Sequence, residues 1–600
     1  MTDLTPYHLP TLLRTQAKRR HDQIALHYQD NAEWHSLTWE ALFTQVDALA
    51  HHLLAQGFDS GERVGIFAAN SLPWVITDLA LMQMGVVSVP IYGTNTAEQT
   101  AYIVQDAEIR TLFVGDQAQY EKALLAAEQC PTLNTLILMS DAIQQRESRV
   151  QTRRFADLLG EGHKEQAQEL AKRQQQVDLE ATLTLIYTSG TTGEPKGVIL
   201  THRNFAAIVE QHQQVVPLEP GTLSLSFLPL SHIYERGWSL YVLSCGGCNA
   251  YLGDPTQVQT AMQTMKPQVM CAVPRLFEKI HTTIRSKVAS AGLAKRLLFR
   301  WALDQGRRQF RAQQQGRTRV KLGQFYHAIA DKLVLSKLRD ALGGNFLFVS
   351  AGGARLDEKV NAFFQYIGIP LLNGYGATET SATVSCNRLD DIQVNGVGLP
   401  LPDVQVRIGE EDEILVKGPT VTPGYFNRPE ETEAAFVDGW YKTGDAGYLD
   451  NEGRLHITDR IKELMKTSNG KYIAPQRVEG VVALEPLVEQ VAIVADGRNF
   501  VSALVVPDFL ALEQWARQHG LKSEDNRTLV QLPEVQALMK EKIQATQESL
   551  AGFEQIKQFT LLPRPFSMDH GELTPTLKLR RKVINEIFAD EIDAMYRRRH

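Results

Sequence analysis

The sequence predicts a two-part protein, a large multi-subdomain α/β body at the N-terminus followed by a small α+β domain. Three observations predict this. The chain has 600 residues, whereas a single hydrophobic core stops growing at about 250–300 residues, so at least two domains are expected. Through most of the chain, short apolar runs bounded by glycine and proline alternate with helical periods, the rhythm of buried parallel strands joined by helices. After about Pro402 that rhythm gives way to short β-rich pieces with turns.

Taken in order, residues 38–55 carry the amphipathic period of a helix. Arg63-Val-Gly-Ile-Phe-Ala68, Gly85-Val-Val-Ser-Val-Pro-Ile91, Thr111-Leu-Phe-Val-Gly115 and Leu136-Ile-Leu-Met139 read as strands. So do Val269-Met-Cys-Ala-Val273 and Asn345-Phe-Leu-Phe-Val349. Between the last two lies a helical, basic stretch, residues 280–342, with fourteen lysines and arginines against Asp304, Asp331 and Asp340. Leu297, Leu298, Phe299, Trp301 and Leu303 lie among the bases, so the stretch reads either as a surface that meets anionic lipid or as a solvated helical face packed on the body. Val404-Gln-Val-Arg-Ile408 and Glu413-Ile-Leu-Val416 open the β-rich part, and Asp450-Asn-Glu-Gly453 reads as a hairpin turn. Beyond Lys462, strands are expected at Gln490-Val-Ala-Ile-Val494 and Val501-Ser-Ala-Leu-Val-Val506, and helices near residues 510–519 and 532–550.

Composition excludes several classes. A hydrophobic share of 43% with 22% charged residues is that of a folded globular chain. The net charge of -7 argues against a dedicated nucleic-acid binder. Five cysteines, sparse and odd in number, do not resemble a disulfide framework and fit a reducing, cytoplasmic setting. Cys245-Gly-Gly-Cys248 has the spacing of a redox or zinc half-site, but no second pair or histidine cluster completes it, and small residues ending a strand are the simpler reading. The most apolar stretch, residues 64–92, is broken by Asn70, Pro73 and Asp78, so no membrane-spanning helix is expected.

The strongest chemical signal is Leu185-Ile-Tyr-Thr-Ser-Gly-Thr-Thr-Gly-Glu-Pro-Lys-Gly197. An apolar run enters a loop dense in glycine and hydroxyls, meets one lysine and returns to an apolar run. Glycines let backbone N–H groups approach an anion, hydroxyls donate further bonds and Lys196 adds charge, as phosphates require. It is not a Walker loop, in which lysine follows glycine directly and a helix comes next.

This loop resembles the phosphate loop of the adenylate-forming superfamily: acyl-CoA synthetases, peptide-synthetase adenylation domains and luciferases. Further segments resemble that family's motifs in its order: Ser350-Ala-Gly-Gly-Ala354, Asn373-Gly-Tyr-Gly-Ala-Thr-Glu-Thr380, Trp440-Tyr-Lys-Thr-Gly-Asp445, Asp459-Arg-Ile-Lys-Glu-Leu-Met-Lys466 and Leu573-Thr-Pro-Thr-Leu-Lys-Leu-Arg580. The resemblance implies an acyl-CoA synthetase/luciferase-like fold, with an adenylation domain over residues 1–459, a hinge at 460–462 and a mobile C-terminal domain over 463–600.

It also implies ATP and Mg2+ as cofactors and coenzyme A as co-substrate. Thr188, Ser189, Gly190, Thr191, Thr192, Gly193 and Lys196 would surround the phosphates, with Glu379 and Thr188 at the metal and Thr378 on the α-phosphate. Gly352, Gly353, Asn373, Gly374, Tyr375 and Gly376 would border the adenine, while Asp445 and Arg460 would hold the ribose. Lys462 marks the hinge. Lys578 would neutralise charge developing between a carboxylate and the α-phosphate.

Leu228-Pro-Leu-Ser-His-Ile-Tyr-Glu-Arg-Gly-Trp238 resembles the acyl-site segment of the long-chain branch, with its Pro-Leu-x-His-x-x-Glu-Arg form. His232 is expected either beside the substrate carboxylate or as a satisfied core histidine. Arg236 falls where some relatives carry an aromatic gate and is given no gating role; Tyr234 and Trp238 are the remaining gate candidates. The resemblance thus implies a long-chain fatty acid–CoA ligase whose partners are fatty acid, ATP and CoA. The lipid-facing reading of the basic stretch, separately, would add peripheral contact with an anionic membrane, at its inner face, to a cytoplasmic protein. The alternatives are a ligase that loads a carrier protein and a catalytically dead fatty-acid or nucleotide binder.

Overall fold

The apolar runs become two large sheets. In the computed structural model the described residues are all but 1, 31, 161, 177, 189–193, 318–319, 470, 575–577 and 598–600, and the side chains of Lys462 and Ser549 are left aside. One sheet has seven strands, ordered Gln151–Arg154, Thr135–Leu138, Thr111–Val114, Arg63–Ala68, Val87–Tyr92, Thr182–Thr188 and Lys196–Thr201. The other has nine, with Leu371–Tyr375, Val349–Ala351, Val269–Ala272, Leu223–Ser226 and Cys248–Tyr251 running parallel through its centre. Alternate residues of a strand face opposite layers. Val64, Ile66 and Ala68 meet a core shared by both sheets, while Phe67 meets the outer one. Helices Trp39–Ala55, Leu72–Met84, His202–Val215 and Ile233–Ser244 fill that shared core.

Local chemistry explains the helix starts. Thr38 caps Trp39–Ala55 by accepting from the Ala41 N–H, and Thr201 caps His202–Val215 reciprocally with Asn204. One expected strand is displaced. The run starting at Asn345 pairs regularly only over Val349–Ala351, because residues 345–348 reach the sheet through a single bond, Leu347 N–H to the Gln268 carbonyl. The smaller Leu455–Arg460 and Trp440–Leu449 strands pair around the expected turn, with Gly453 at φ +79.

In the basic stretch, helix Leu293–Gln314 buries Phe299, Ala302, Gln305 and Gly306 against helix Glu358–Ile367. A Cβ on Gly306 would fall on the Tyr366 carbonyl, so only glycine permits the approach. Helix Lys321–Ala330 returns along it and continues through a π-turn, Asp331–Leu335.

The C-terminal part is built on strands Val488–Val494, Val501–Pro507 and Ile556–Leu561, the last of them not expected from the sequence. Separate apolar clusters cover its two faces. It meets the body through the Arg275 guanidinium on the Glu489 carbonyl and Leu484 against the nine-stranded sheet's outer core.

Candidate active site

The sequence motifs converge where the central parallel strands end, the place at which open α/β sheets bind ligands. Thr188 closes one strand and Lys196 opens the next, facing it in register. Ser189, Gly190, Thr191, Thr192 and Gly193 lie outside the described residues. Lys196 Nζ sits 5.2 Å above the ring of Tyr425, and the Tyr425 hydroxyl donates to Glu379 Oε1 at 3.0 Å. Glu379 rides on a short 3-10 turn, Thr378–Thr380, in which Thr378 is buried. A strap of residues 422–426 fixes both ends of this pole. The Thr422 N–H donates to the Glu379 carbonyl, and the Phe426 N–H donates to the Gly197 carbonyl. Tyr425 thus couples Lys196 to the Glu379 carboxylate, a contact the sequence did not disclose.

Gly376 packs so closely under Ala382 that a Cβ would overlap the Ala382 carbonyl. Gly374 faces the Ser385 carbonyl. Asn373 is buried, donates through Nδ2 to the Gly396 carbonyl at 3.1 Å and leaves Oδ1 without a partner among the described residues. Gly353 has φ +81. Gly352 lies against the Tyr234 ring, and the Tyr234 hydroxyl meets Ser350 Oγ at 2.9 Å. Tyr234 therefore roofs this glycine segment. Trp238 is core, donating from Nε1 to Ser224 Oγ at 3.0 Å and standing edge-on to Phe348.

Asp445 is buried and doubly engaged. It accepts from the Tyr375 hydroxyl at 2.6 Å, and Arg460 Nε lies 3.2 Å from its other oxygen. Burial pushes its carboxyl up, and Arg460 and Tyr375 hold it back. The Tyr375 phenol is driven well above its usual range by burial and then by Asp445. Burial works against the Arg460 charge, but Asp445 and Glu463 more than offset it.

Lys578 projects into the same cleft from a hairpin. Its N–H donates to Thr574 Oγ1 and its carbonyl accepts from the Thr574 N–H. The hairpin is rooted on Glu572, a fully buried carboxylate held by both Arg564 nitrogens at 2.8 and 2.6 Å and by the Ser567 N–H. The Lys578 side chain keeps access to solvent. Protein nevertheless crowds it on enough sides that burial, and then repulsion from Arg460, lowers its ammonium to about 8, against the pull of Asp445, Glu463 and Glu379. No carboxylate forms an ion pair with it among the described residues.

His232 caps helix Ile233–Ser244, its Nδ1 accepting from the Tyr234 N–H at 3.1 Å. Burial and then the Lys578 charge lower the imidazole to about 4, so it is neutral at pH 7 with its proton on Nε2. The loop before it is clamped from afar by Asn70, which donates to the Leu228 carbonyl and accepts from the Leu230 N–H. Glu235, behind it, accepts from Leu228 N–H, and burial pushes its carboxyl up to about 7.

Comparison with known proteins shows the family. The pattern that defines the AMP-binding enzyme family matches residues 13–426, and that of the AMP-binding enzyme C-terminal domain matches residues 462–600. The chain belongs to the AMP-binding enzyme family. It is 34% identical over 566 residues to a long-chain-fatty-acid–CoA ligase of Mycobacterium bovis, covering 94% of this chain and 92% of that one. It is 31% identical over 589 residues to the peroxisomal long chain acyl-CoA synthetase 7 of Arabidopsis thaliana, covering 94% and 82%. Its fold is similar to the adenylation domain of a carboxylate reductase from Mycobacterium chelonae, at a TM-score of 0.77 and 21% identity over 99% of this chain and 92% of that one.

Within this family member, the described residues hold no cluster of three or more metal-ligating side chains. Cys245 and Cys248 are buried and free, but they do not end a strand as the sequence suggested: Cys245 caps the C-terminus of helix Ile233–Ser244 and Cys248 opens strand Cys248–Tyr251, so the two glycines make a helix-to-strand turn. No helix among the described residues is long and apolar enough to cross a membrane.

Proposed function

We propose that this chain activates a long-chain fatty acid with ATP and passes the acyl group to coenzyme A. The observation that carries the reading is the convergence of Lys196, Glu379, Asp445, Arg460 and Lys578 on one cleft, joined to full-length similarity to long-chain acid ligases. The substrate carboxylate attacks the α-phosphorus of ATP, the bond to the bridging oxygen breaks, and pyrophosphate leaves. The thiol sulfur then attacks the acyl carbon, its proton passes to solvent, and AMP departs with the C–O electron pair.

The chain's own residues would divide this work by charge. Lys196, with Thr188 and the loop 189–193, would hold the outer phosphates, and Thr378 would donate to the α-phosphate. Gly352, Gly353, Gly374, Tyr375 and Gly376 would border the adenine, with Asn373 Oδ1 as an acceptor for its amino group. Asp445 and Arg460 would hold the ribose, which requires the Tyr375 hydroxyl to share the carboxylate. Lys578 would balance the anionic charge where two anions meet, an electrostatic role worth most in a cleft that excludes water. His232, neutral and capping its helix, would shape the acid's entrance without carrying charge.

A magnesium ion bound with a nucleotide needs only one or two protein carboxylates beside the phosphates. Glu379 fits that need, since Tyr425 occupies only Oε1, with the Thr188 hydroxyl as the second protein donor. When bound, the ion would neutralise phosphate charge. Hinge motion at residues 460–462 would then carry Lys578 away so that the thiol can enter. Peripheral contact with an anionic membrane suits a substrate that partitions into lipid.

The test is pyrophosphate release and thioester formation across acids from acetate to oleate. Each buried methylene contributes about 0.8 kcal/mol, so turnover at limiting acid is expected to rise into the long-chain range. A preference for acetate or benzoate contradicts the substrate class. Acyl-adenylate without thioester on CoA points to carrier loading, and no pyrophosphate points to a binder.

A further inference from the structure

We propose that the outer face of helices Leu293–Gln314 and Lys321–Ala330 is a docking surface for an anionic lipid bilayer. On the first helix the buried side carries Phe299, Ala302, Gln305 and Gly306. The opposite side carries Leu293 and Leu297, 69% and 53% exposed, and then Arg300, Arg307 and Arg311, all exposed. On the second, Leu322, Phe325, Tyr326 and, within the π-turn that follows, Leu333 are exposed, with Leu322 63% and Phe325 60% exposed. Among the described residues, eight of the eighteen exposed large hydrophobics lie within residues 293–333. A face that served only solubility would not gather them, since contiguous exposed apolar surface marks a binding site.

Charge selects the occupant. Two of the stretch's three acids are spent internally, Asp304 on Arg308 and Asp331 on Arg339, each at 2.8 Å. Lys295, Arg296, Arg300, Arg307, Arg311, Lys321 and Lys332 have no ion pair among the described residues, in a chain whose net charge is -7. Apolar side chains ringed by uncompensated long bases match the acyl boundary and headgroups of an anionic leaflet, where the bases' stems lie along the apolar layer and their charges meet phosphate. A second copy of this acidic chain would meet the same uncompensated bases with bases of its own. The helices are too polar to span, so the contact lies in the interface plane.

The experiment is flotation of the full chain with phosphatidylcholine vesicles, with and without phosphatidylglycerol, over a salt series. Wild type is expected to float with the anionic vesicles and to be released as salt rises. Arg296→Gln, Arg300→Gln, Arg307→Gln and Arg311→Gln together, and separately Leu297→Ser with Phe325→Ser, should each lower partitioning by about ten-fold or more. Turnover of a water-soluble medium-chain acid without vesicles should not change in either variant. Unchanged flotation in both variants, or no flotation of wild type, overturns the proposal. An apolar variant that turns a dimer into a monomer in light scattering while its flotation stays at the wild-type level also overturns it, since a second copy then covers the face. Absent turnover in wild type would contradict the ligase reading instead, leaving flotation as the independent test of docking.

Discussion

Two cations of this molecule, Arg236 in the core and Lys578 at the mouth of the candidate site, have opposite surroundings. Arg236 is 1% exposed and fully answered. It makes two bonds to Asp78, at 3.0 and 2.7 Å, and one each to Thr184 and Ser88. Lys578 stands in a cleft with an arginine for a neighbour and no carboxylate within ion-pair distance among the described residues, and its pKa is lowered to about 8. A buried charge with every bond satisfied holds elements together, here helix Ile233–Ser244 against strands Val87–Tyr92 and Thr182–Thr188. A charge without an ion-pair partner, placed beside other charged groups, marks a candidate site for an anionic ligand.

The largest effect expected from this contrast is on stability. Arg236→Met strands the Asp78 carboxylate in the core and should cost about 3–5 kcal/mol, read as a lower urea midpoint. Arg236→Met with Asp78→Leu removes both charges and should recover most of that loss. Equal damage in single and double variants would mean that packing, not charge, governs the site. Next comes the Lys196–Glu379 end of the candidate site. Tyr425→Phe keeps the ring beneath Lys196 but removes the hydroxyl on Glu379, a bond to a charged group worth about 1.5 kcal/mol. Adenylation at limiting magnesium should fall roughly ten-fold, whereas a change below two-fold would show that Glu379 is positioned without it.

The smallest effect is in pH. The protonated ammonium of Lys578 is the useful form, so adenylation should decline as pH rises through about 8. Thioester formation from supplied acyl-adenylate should instead climb over that range as the thiolate fraction grows. Lys578→Arg should move the decline to higher pH. Parallel profiles for the two steps would assign the titration to another group.

The sequence was most legible where a physical constraint is local. Runs such as Arg63–Ala68 and Val269–Ala272 are apolar, short and bounded, and they are strands. Thr38 announces its helix. The Asn345 run misled because Phe348 and Val349 are buried and Phe346 partly so, but Leu347 is exposed and the backbone pairs only from Val349 onward; apolar composition does not encode pairing. Candidate site residues with glycine, lysine or hydroxyl signatures were legible only as what the family likeness implies. Tyr425 and Asn70 were not: each acts across a long sequence separation, on Glu379 and on the Leu228–Leu230 loop, through one hydrogen-bonding group in an unremarkable stretch. His232 was readable only as a pair of alternatives, and its helix cap is visible only once Tyr234 N–H is placed beside it.

The central claim, that Lys578 serves the first half-reaction and not the second, is tested by one variant in two assays. Lys578→Ala should lose about 10²–10³-fold in pyrophosphate release from ATP and fatty acid, the loss expected of one transition-state donor. Acyl-CoA formation from supplied acyl-adenylate and CoA should stay within a few-fold of wild type. Equal losses in both assays, or no loss in either, would contradict the account.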